Sequence, residues 1–350
     1  METTPHILDP NTPLEDWLSE RGYPAYRAEQ IRKWLFQLRA DSFQAMTNLS
    51  KQMRAELEQS FRIWTTSTAL HHQAEDGTEK LLLSLADGNR IECVLLRDGP
   101  RRSICISSQV GCAMGCVFCA SGLDGVERNL TSGEIMEQML RLQQLLPPEE
   151  RLSHIVVMGM GEPLANLDQL LPALDAARCE KGLSISSRRI TISTVGLPAA
   201  IHRLSRHPRH YHLAVSLHAP NDELRSELVP ANRKIGLPAL FEAADEYFEV
   251  SGRRLTYEYV LLAGLNDHPQ HAQHLVRLLQ GRAALLNVIP YNPVAGLPYK
   301  TPSPEGCDRF RQILERGGLT VKFRFRKGDS INAACGQLRR DVSQIRSPGS

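Results

Sequence analysis

No apolar stretch of the 350-residue chain approaches the roughly 18 residues that a membrane span requires. Met1 to Pro10 also lacks the basic start and apolar run of a signal peptide. Both absences point to a cytoplasmic protein with no membrane partner. Charge of one sign is scarce: 41 Lys and Arg stand against 39 Asp and Glu, so the chain is no polycation holding nucleic acid by bulk attraction. Any basic surface must be local, and residues 301–350 offer one, with ten Lys or Arg against five acids. Repeats and low-complexity segments are missing. With 42% hydrophobic and 23% charged residues, disorder, collagen and coiled coil are excluded as well. In a reducing compartment the eight cysteines read as metal ligands, catalytic groups or packing residues, not structural disulfides.

Two changes of character divide what is there. From Leu14 to about Phe61 the pattern is helical, and Tyr26 to Leu38 places Ile31, Trp34, Leu35 and Leu38 at the i, i+3, i+4, i+7 spacing of one face. Glu79 to Leu85 and Arg90 to Leu96 then read as two strands about the turn Asp87-Gly88-Asn89. From Ser103 onward, β-branched or apolar runs such as Ile155–Met158, Ile190–Val195, Leu213–Leu217 and Leu255–Leu261 alternate with helical stretches such as Ser132–Leu146 and Leu237–Val250. Repeated β-then-α means parallel strands with crossover helices. No G-x-G-x-x-G follows the first of them, so an α/β fold of the partial (β/α) barrel kind is favoured over a dinucleotide-binding sheet. The expected division is a helical module over 1–65, a β-hairpin linker over 66–100 and the barrel over 101–350. Ligands should gather at the C-terminal ends of its strands.

The strongest local signal is Cys112-Ala113-Met114-Gly115-Cys116-Val117-Phe118-Cys119. Three thiols on a glycine-bearing loop can converge on one soft metal centre. A structural zinc would want a fourth ligand, and neither a second C-x-x-C nor a nearby His pair exists; buried free cysteines are the plainer alternative. Three ligands on a four-iron cubane would leave one iron open to a substrate. Further unusual residues fall at strand ends: Gly161 and Glu162 after the second strand, Ser193 in the third, Ser216-Leu217-His218 closing the fourth and Asn292 after the sixth. Each alone is an ordinary strand-end residue.

A C-x-x-x-C-x-x-C loop after the first strand of a (β/α) barrel resembles the radical S-adenosylmethionine superfamily. Four segments narrow the likeness: Ile104-Cys105-Ile106-Ser107-Ser108-Gln109-Val110-Gly111-Cys112, Met158-Gly159-Met160-Gly161-Glu162-Pro163-Leu164, Val215-Ser216-Leu217-His218-Ala219-Pro220-Asn221 and Gly328-Asp329-Ser330-Ile331-Asn332-Ala333-Ala334-Cys335-Gly336-Gln337-Leu338. In this order they resemble the RlmN/Cfr family of radical-SAM RNA adenine methyltransferases over nearly the whole chain. The resemblance implies a barrel of the radical-SAM type in which Cys112, Cys116 and Cys119 hold a 4Fe-4S cluster. It implies that Gly161 and Glu162 face the methionine amine of S-adenosylmethionine, and that Ser193, Ser216, Leu217, His218 and Asn292 make the remaining contacts.

The same resemblance implies two S-adenosylmethionine molecules per turnover. One methylates Cys335; the other is cleaved reductively, and the 5′-deoxyadenosyl radical takes hydrogen from the S-methyl group so that the methylene radical adds to an adenine ring carbon. Cys105 matches the thiol that frees the RNA through a transient disulfide with Cys335. Glu92 matches the proposed acceptor of the ring hydrogen. Without the resemblance, Cys335 reads as a small buried hydrophobe and Glu92 as a solvent-facing strand carboxylate. Cys93, Cys179 and Cys307 match no such role and read as packing residues.

The implied activity is formation of 2-methyladenosine in large-subunit (23S) rRNA and in certain tRNAs. Methylation at carbon 8 of the same rRNA nucleotide is the close alternative, against which Val110 and Pro163 look more like the carbon-2 branch. A glycyl-radical activase would share the thiol loop but has no use for Cys105, Cys335 and Glu92. A zinc-dependent RNA-binding protein would hold zinc in place of iron. The expected RNA surfaces are the helical module with Arg27, Arg32 and Lys33, and the basic stretch Lys322 to Lys327, with a target adenine unstacked into the barrel mouth. A flavodoxin- or ferredoxin-type reductant is an expected partner, and a monomer the expected state. His202, His207, His210 and His212 are irregularly spaced without acids among them and read as surface.

Overall fold

The computed structural model describes residues 4–10, 13–324 and 328–339. Three helices open the chain: α1 (Leu14–Glu20), α2 (Tyr26–Phe36) and α3 (Lys51–Ser60), the last capped by Ser50, whose hydroxyl accepts the Met53 N–H at 3.2 Å. The buried face of α2 is Ala28, Ile31, Leu35 and Phe36. Leu38, expected on that face, lies past the helix end and is 52% exposed, because the chain turns away there through Arg39 at φ +55°. Trp34 is half-buried and donates its indole N–H to Asn48 at 2.6 Å.

The hairpin expected next is part of a larger extension. Strands β1 (Ser67–Gln73), β2 (Glu79–Ser84) and β3 (Arg90–Asp98) form an antiparallel meander, and β3 pairs with β4 (Arg101–Cys105), so all four lie in the main sheet. Strand β1 has no buried residue and offers no apolar alternation to read. A small hairpin of β5 (Gln109–Gly111) and β6 (Val126–Asn129) brackets the thiol loop.

The barrel continues as α4 (Ser132–Gln144), β7 (His154–Val157), α5 (Leu167–Arg178), β8 (Ile190–Thr194), α6 (Pro198–Ser205) and β9 (His212–Ser216). Then follow α7 (Asp222–Leu228), α8 (Asn232–Ile235), α9 (Leu237–Ser251), β10 (Leu255–Leu261), α10 (Pro269–Leu279), β11 (Ala284–Pro290), α11 (Pro304–Arg316) and β12 (Val321–Phe323). The strand order β1-β2-β3-β4-β7-β8-β9-β10-β11-β12 is parallel from β4 onward. Among the described residues no pairing joins β12 to β1, so the barrel is open.

The outward strand residues Ile155, Ile190, Ile192, Leu213 and Val215 pack with Met136, Met139, Leu170, Leu174, Ile201 and Leu240 of the helices in one buried core. Each such side chain contributes roughly 1.5–3 kcal/mol. The helical module is tied to the barrel through Glu137 of α4, which is fully buried. Its carboxylate accepts the N–H and hydroxyl groups of Thr65 (2.8 and 2.7 Å) and Thr66 (3.0 and 2.6 Å) and pairs with Arg141. The histidines at 202–212 do meet acids, brought by neighbouring helices: His202 lies 2.8 Å from Glu246 and His207 3.2 Å from Asp175. Among the described residues no three His, Cys, Asp or Glu side chains form a site for a single metal ion, and no helix is long and apolar enough to cross a membrane.

Candidate active site

The thiol loop leaves β5 through Gly111, whose φ is +79°; a Cβ there would stand 2.0 Å from the Gly125 carbonyl oxygen. Cys112 donates its N–H to that oxygen at 2.8 Å, Val117 to Leu228 at 3.1 Å, and Ala120 to Gly336 at 2.8 Å. Phe118 turns inward against the His218 ring, 4.8 Å between centroids. Around the loop lies a second apolar cluster that includes Val195, Ala219, Leu228, Leu262, Tyr291 and Val294, with Cys116 and Cys119 packed against it.

Cys112, Cys116 and Cys119 line a cavity of about 150 Å³. Burial pushes all three thiols up, Cys112 to about 12, so each resists ionising unless a metal takes the proton's place. In a cubane each cysteine binds a different iron, so the donors need not meet at one point, whereas zinc gathers four donors around one ion. The three thiols fit the cluster and not the single ion.

The other wall of the cavity carries Gly161, Glu162, Ser193, Ser216, His218 and Asn292. Gly161 has φ +108°, and a Cβ on it would lie 2.7 Å from both Ser108 Oγ and Gln109 Cβ, so the turn after β7 accepts no side chain. That turn delivers Glu162, which is 2% exposed. Its carboxylate accepts the N–H of Leu164 at 3.0 Å and of Val195 at 2.8 Å, and among the described residues no Lys, Arg or His forms an ion pair with it. Burial raises its proton affinity while the backbone donors work against that. A buried carboxylate of this kind is complementary to a ligand ammonium group. His218, at φ +59°, accepts the Val260 N–H on Nδ1 at 3.0 Å; burial pulls it down to about 3, so the ring is neutral with hydrogen on Nε2. Asn292 donates its amide N–H to the Cys335 carbonyl at 3.1 Å and has a buried Oδ1 with no partner among the described residues, open to a ligand donor. Leu217 does not line the cavity: its side chain is in the core, and its N–H bonds the Glu258 carbonyl at 2.9 Å.

Cys335 borders this cavity and a second one of about 40 Å³ that also holds Cys105, at the end of β4, together with Met158, Asn292 and Arg324. Both cysteines are free thiols, and burial pushes Cys105 up to about 12. The loop carrying Cys335 is held on each side: Ser121 Oγ donates to the Leu338 carbonyl at 2.7 Å and Gln337 to the Pro293 carbonyl at 2.9 Å. Glu92 borders neither cavity. It is 6% exposed, so it is no solvent-facing carboxylate; it lies in an adjoining cleft, 2.8 Å from Lys80 and accepting the Arg339 N–H at 2.7 Å. Burial raises its proton affinity and Lys80 opposes this.

Four site residues escape a sequence reading. Arg225, fully buried, donates to the carbonyls of Leu217 (3.0 Å), Val195 (2.6 Å) and Ser216 (2.9 Å) and to Asn232, tying the ends of β8 and β9 together beneath the thiol loop. Glu258 of β10 lines the larger cavity, with Asn287 donating to it at 2.6 Å. Lys80 also reaches the Asn332 carbonyl at 3.3 Å. Arg324, expected on an RNA-facing stretch, instead lines the cavity of the two thiols. Of that stretch Lys322 is exposed, while Arg326 and Lys327 lie outside the described residues, as do Arg340, Asp341 and Arg346. In the helical module Arg32 pairs with Glu15 at 2.5 Å, Arg27 donates to Gln30 and Asn48, and Lys33 is exposed.

The family model described as the ribosomal RNA large subunit methyltransferase N-terminal domain matches residues 8–63, and that of the radical SAM superfamily matches residues 106–276. A probable dual-specificity RNA methyltransferase RlmN of Rhodopirellula baltica is 66% identical over 95% of this chain and 90% of that protein. The chain belongs to the RlmN family of radical SAM RNA methyltransferases. A second such RlmN, from Symbiobacterium thermophilum, is 45% identical over 93% of this chain and 88% of its own length. The crystal structure of a radical SAM methyltransferase from Sphaerobacter thermophilus superposes with a TM-score of 0.93 at 42% identity, covering 96% of this chain and all of that one. Radical SAM enzymes work with S-adenosylmethionine and an iron–sulfur cluster, the two groups that the thiol loop and the Glu162 wall suit.

Proposed function

We propose that this RlmN-family enzyme forms 2-methyladenosine in 23S rRNA and in certain tRNAs through a methyl group carried on Cys335. The observation that carries the reading is the double position of Cys335, which borders both the cavity of Cys112, Cys116, Cys119 and Glu162 and the cavity of Cys105. A thiol between a cofactor site and a second thiol suits a residue that reacts twice. When bound, a 4Fe-4S cluster on the three loop thiols and S-adenosylmethionine, two molecules per turnover, supply the methyl group and the one-electron chemistry.

The chain's own residues do the rest. Glu162 binds the ligand ammonium, Gly161 leaves room for it, and Asn292 Oδ1 and the His218 Nε2–H turn toward ligand polar groups, with Ser193 and Ser216 completing the wall; Leu217 takes no part, its N–H and carbonyl being bonded to Glu258 and Arg225. After the carbon bridge to adenine has formed, the adduct has one electron as well as one proton to lose; the electron would go to the bound cluster, and Glu92 takes the ring proton, a role helped by the burial that raises its proton affinity. Cys105 as thiolate then attacks the Cys335 sulfur. The S–S bond forms as the bond from that sulfur to the bridging carbon breaks; the electron pair stays on carbon, which takes a proton and becomes the methyl group, and an external dithiol reduces the disulfide.

The reading carries with it residues 1–65 as the RNA-binding module, 66–100 as an extension and 101–350 as the catalytic barrel. A flavodoxin- or ferredoxin-type donor, a cytoplasmic setting and a monomeric state belong to it as well. The test is anaerobic incubation of reconstituted protein with S-adenosylmethionine, reductant and unmodified large-subunit rRNA, followed by nucleoside mass spectrometry. 2-Methyladenosine is expected; 8-methyladenosine would move the target carbon, and neither product from protein with an intact cluster would overturn the RNA assignment.

A further inference from the structure

The cavity of Cys105 and Cys335 contains one group that the chemistry above does not use. Arg324 follows β12 with its backbone N–H on the Val288 carbonyl at 2.9 Å, which holds it beside β11, and its side chain lines the thiol cavity. The residue is half-buried, and among the described residues no carboxylate lies within ion-pair distance of its guanidinium. The remaining lining is largely apolar, with Leu96, Val156, Met158, Ile289 and Leu338. A guanidinium does not lose its proton in such a place, so a fixed positive charge stands beside two sulfurs.

We propose that Arg324 is the counter-charge of the two thiols in this cavity, favouring Cys105 as the thiolate nucleophile that the release step requires. The inference rests on the two-thiol reading above. Arg324 acts through Cys105 and is a positioning residue. Burial, with the Cys335 sulfur beside it, pushes the Cys105 thiol up to about 12 with the guanidinium in place; Arg324 is the cation that works against both, and without it the thiolate would be scarcer still. The groups facing this pair are Cys335 from the 328–339 loop, Glu258 from β10, Arg101 from the start of β4 and Cys93 of β3 behind Cys105. Glu258 is committed to Asn287, and burial pushes it up to about 7, so it does not cancel the guanidinium charge below neutrality.

The experiment follows the initial rate of iodoacetamide alkylation of Cys105 against pH in reconstituted full-length protein under reductant, read by mass spectrometry of the Cys105 peptide. An opposite charge within about 4–6 Å lowers an acid's midpoint by about 1–3 pH units. Arg324→Met should therefore move the midpoint up by about 1–2 units and slow alkylation at pH 8 about 10- to 100-fold. Arg324→Lys should stay within about half a unit of the wild type, and equal iron content after reconstitution checks that each variant is folded. A wild-type midpoint in Arg324→Met, or a midpoint in Arg324→Lys as displaced as in Arg324→Met, overturns the proposal. The alkylation profile needs no RNA, so failure to form 2-methyladenosine would remove the RNA reading without touching this result.

Discussion

Replacing Glu258 by Gln isolates the charge of a carboxyl buried in the cavity wall. Glu258 is 5% exposed, and burial raises it from 4.5 to about 7, with the Asn287 hydrogen bond and the charge of Arg324 pulling the other way. A carboxyl raised in the folded state contributes stability that is fully present below its unfolded value and is lost as pH climbs through the folded one. The window here runs from about 4.5 to about 7. At about 1.4 kcal/mol per pH unit the wild type gives up about 3 kcal/mol across it through this one group. Glu258→Gln keeps an acceptor for the Asn287 amide but has no proton to lose. The variant should be more stable by under about 1 kcal/mol at pH 5 and by about 3 kcal/mol at pH 8. Urea unfolding followed by far-ultraviolet circular dichroism between pH 5 and 8 measures the difference, in which the other raised carboxyls, Glu92 and Glu162, cancel. A difference that does not change with pH would refute the reasoning. A wild type that gains on the variant as pH rises would mean that Arg324 pairs with ionised Glu258 and overcomes its desolvation.

Three further outcomes are expected. Glu162→Gln should weaken S-adenosylmethionine binding about 10- to 100-fold in equilibrium binding, since a charged hydrogen bond contributes about 1.5–3 kcal/mol; unchanged affinity would remove the ammonium from that carboxylate. Arg225→Met should lower stability to urea by about 3–5 kcal/mol, because it strips donors from three buried carbonyls at the ends of β8 and β9; a loss below about 1 kcal/mol would show that the site does not depend on them. Cys105→Ala should accumulate a covalent protein–RNA species on denaturing gels, whereas Cys335→Ala should form none, and a crosslink surviving in the second variant would sink the role of Cys335.

Much of this arrangement was legible before any coordinates. Alternating apolar runs and helical stretches marked the barrel, with Leu255–Leu261 bounded as the structure has it and Leu237–Val250 one residue short of it. The thiol loop and the strand-end residues Gly161, Glu162, Ser193, Ser216, His218 and Asn292 do meet in one cavity. The burial of Glu92 was hidden because its partner is set by hairpin register: Lys80 stands opposite Val94 and Glu92 opposite Leu82, a diagonal neighbour two residues along. Counting outward from Asp87-Gly88-Asn89 would have paired them.

Arg225 had no such signal, since Asp222-Glu223-Leu224-Arg225 reads as a solvated helix turn and only the fold swings its guanidinium under β8 and β9. Glu258 differs, for it is a lone charge set in a strand of otherwise uncharged residues, Leu-Thr-Tyr-Glu-Tyr-Val-Leu. A parallel strand in a (β/α) barrel is covered by helices on its outer face, so a charged side chain cannot remain there without desolvation. Its one accommodating direction is the interior, toward the polar end where ligands bind. In a sequence already read as such a barrel, an isolated charge within an apolar strand is therefore a candidate pocket residue, as Glu258 is; Val-Lys-Phe-Arg carries two charges, of which Lys322 is exposed and Arg324 lines the thiol cavity, a division that the sequence pattern does not mark.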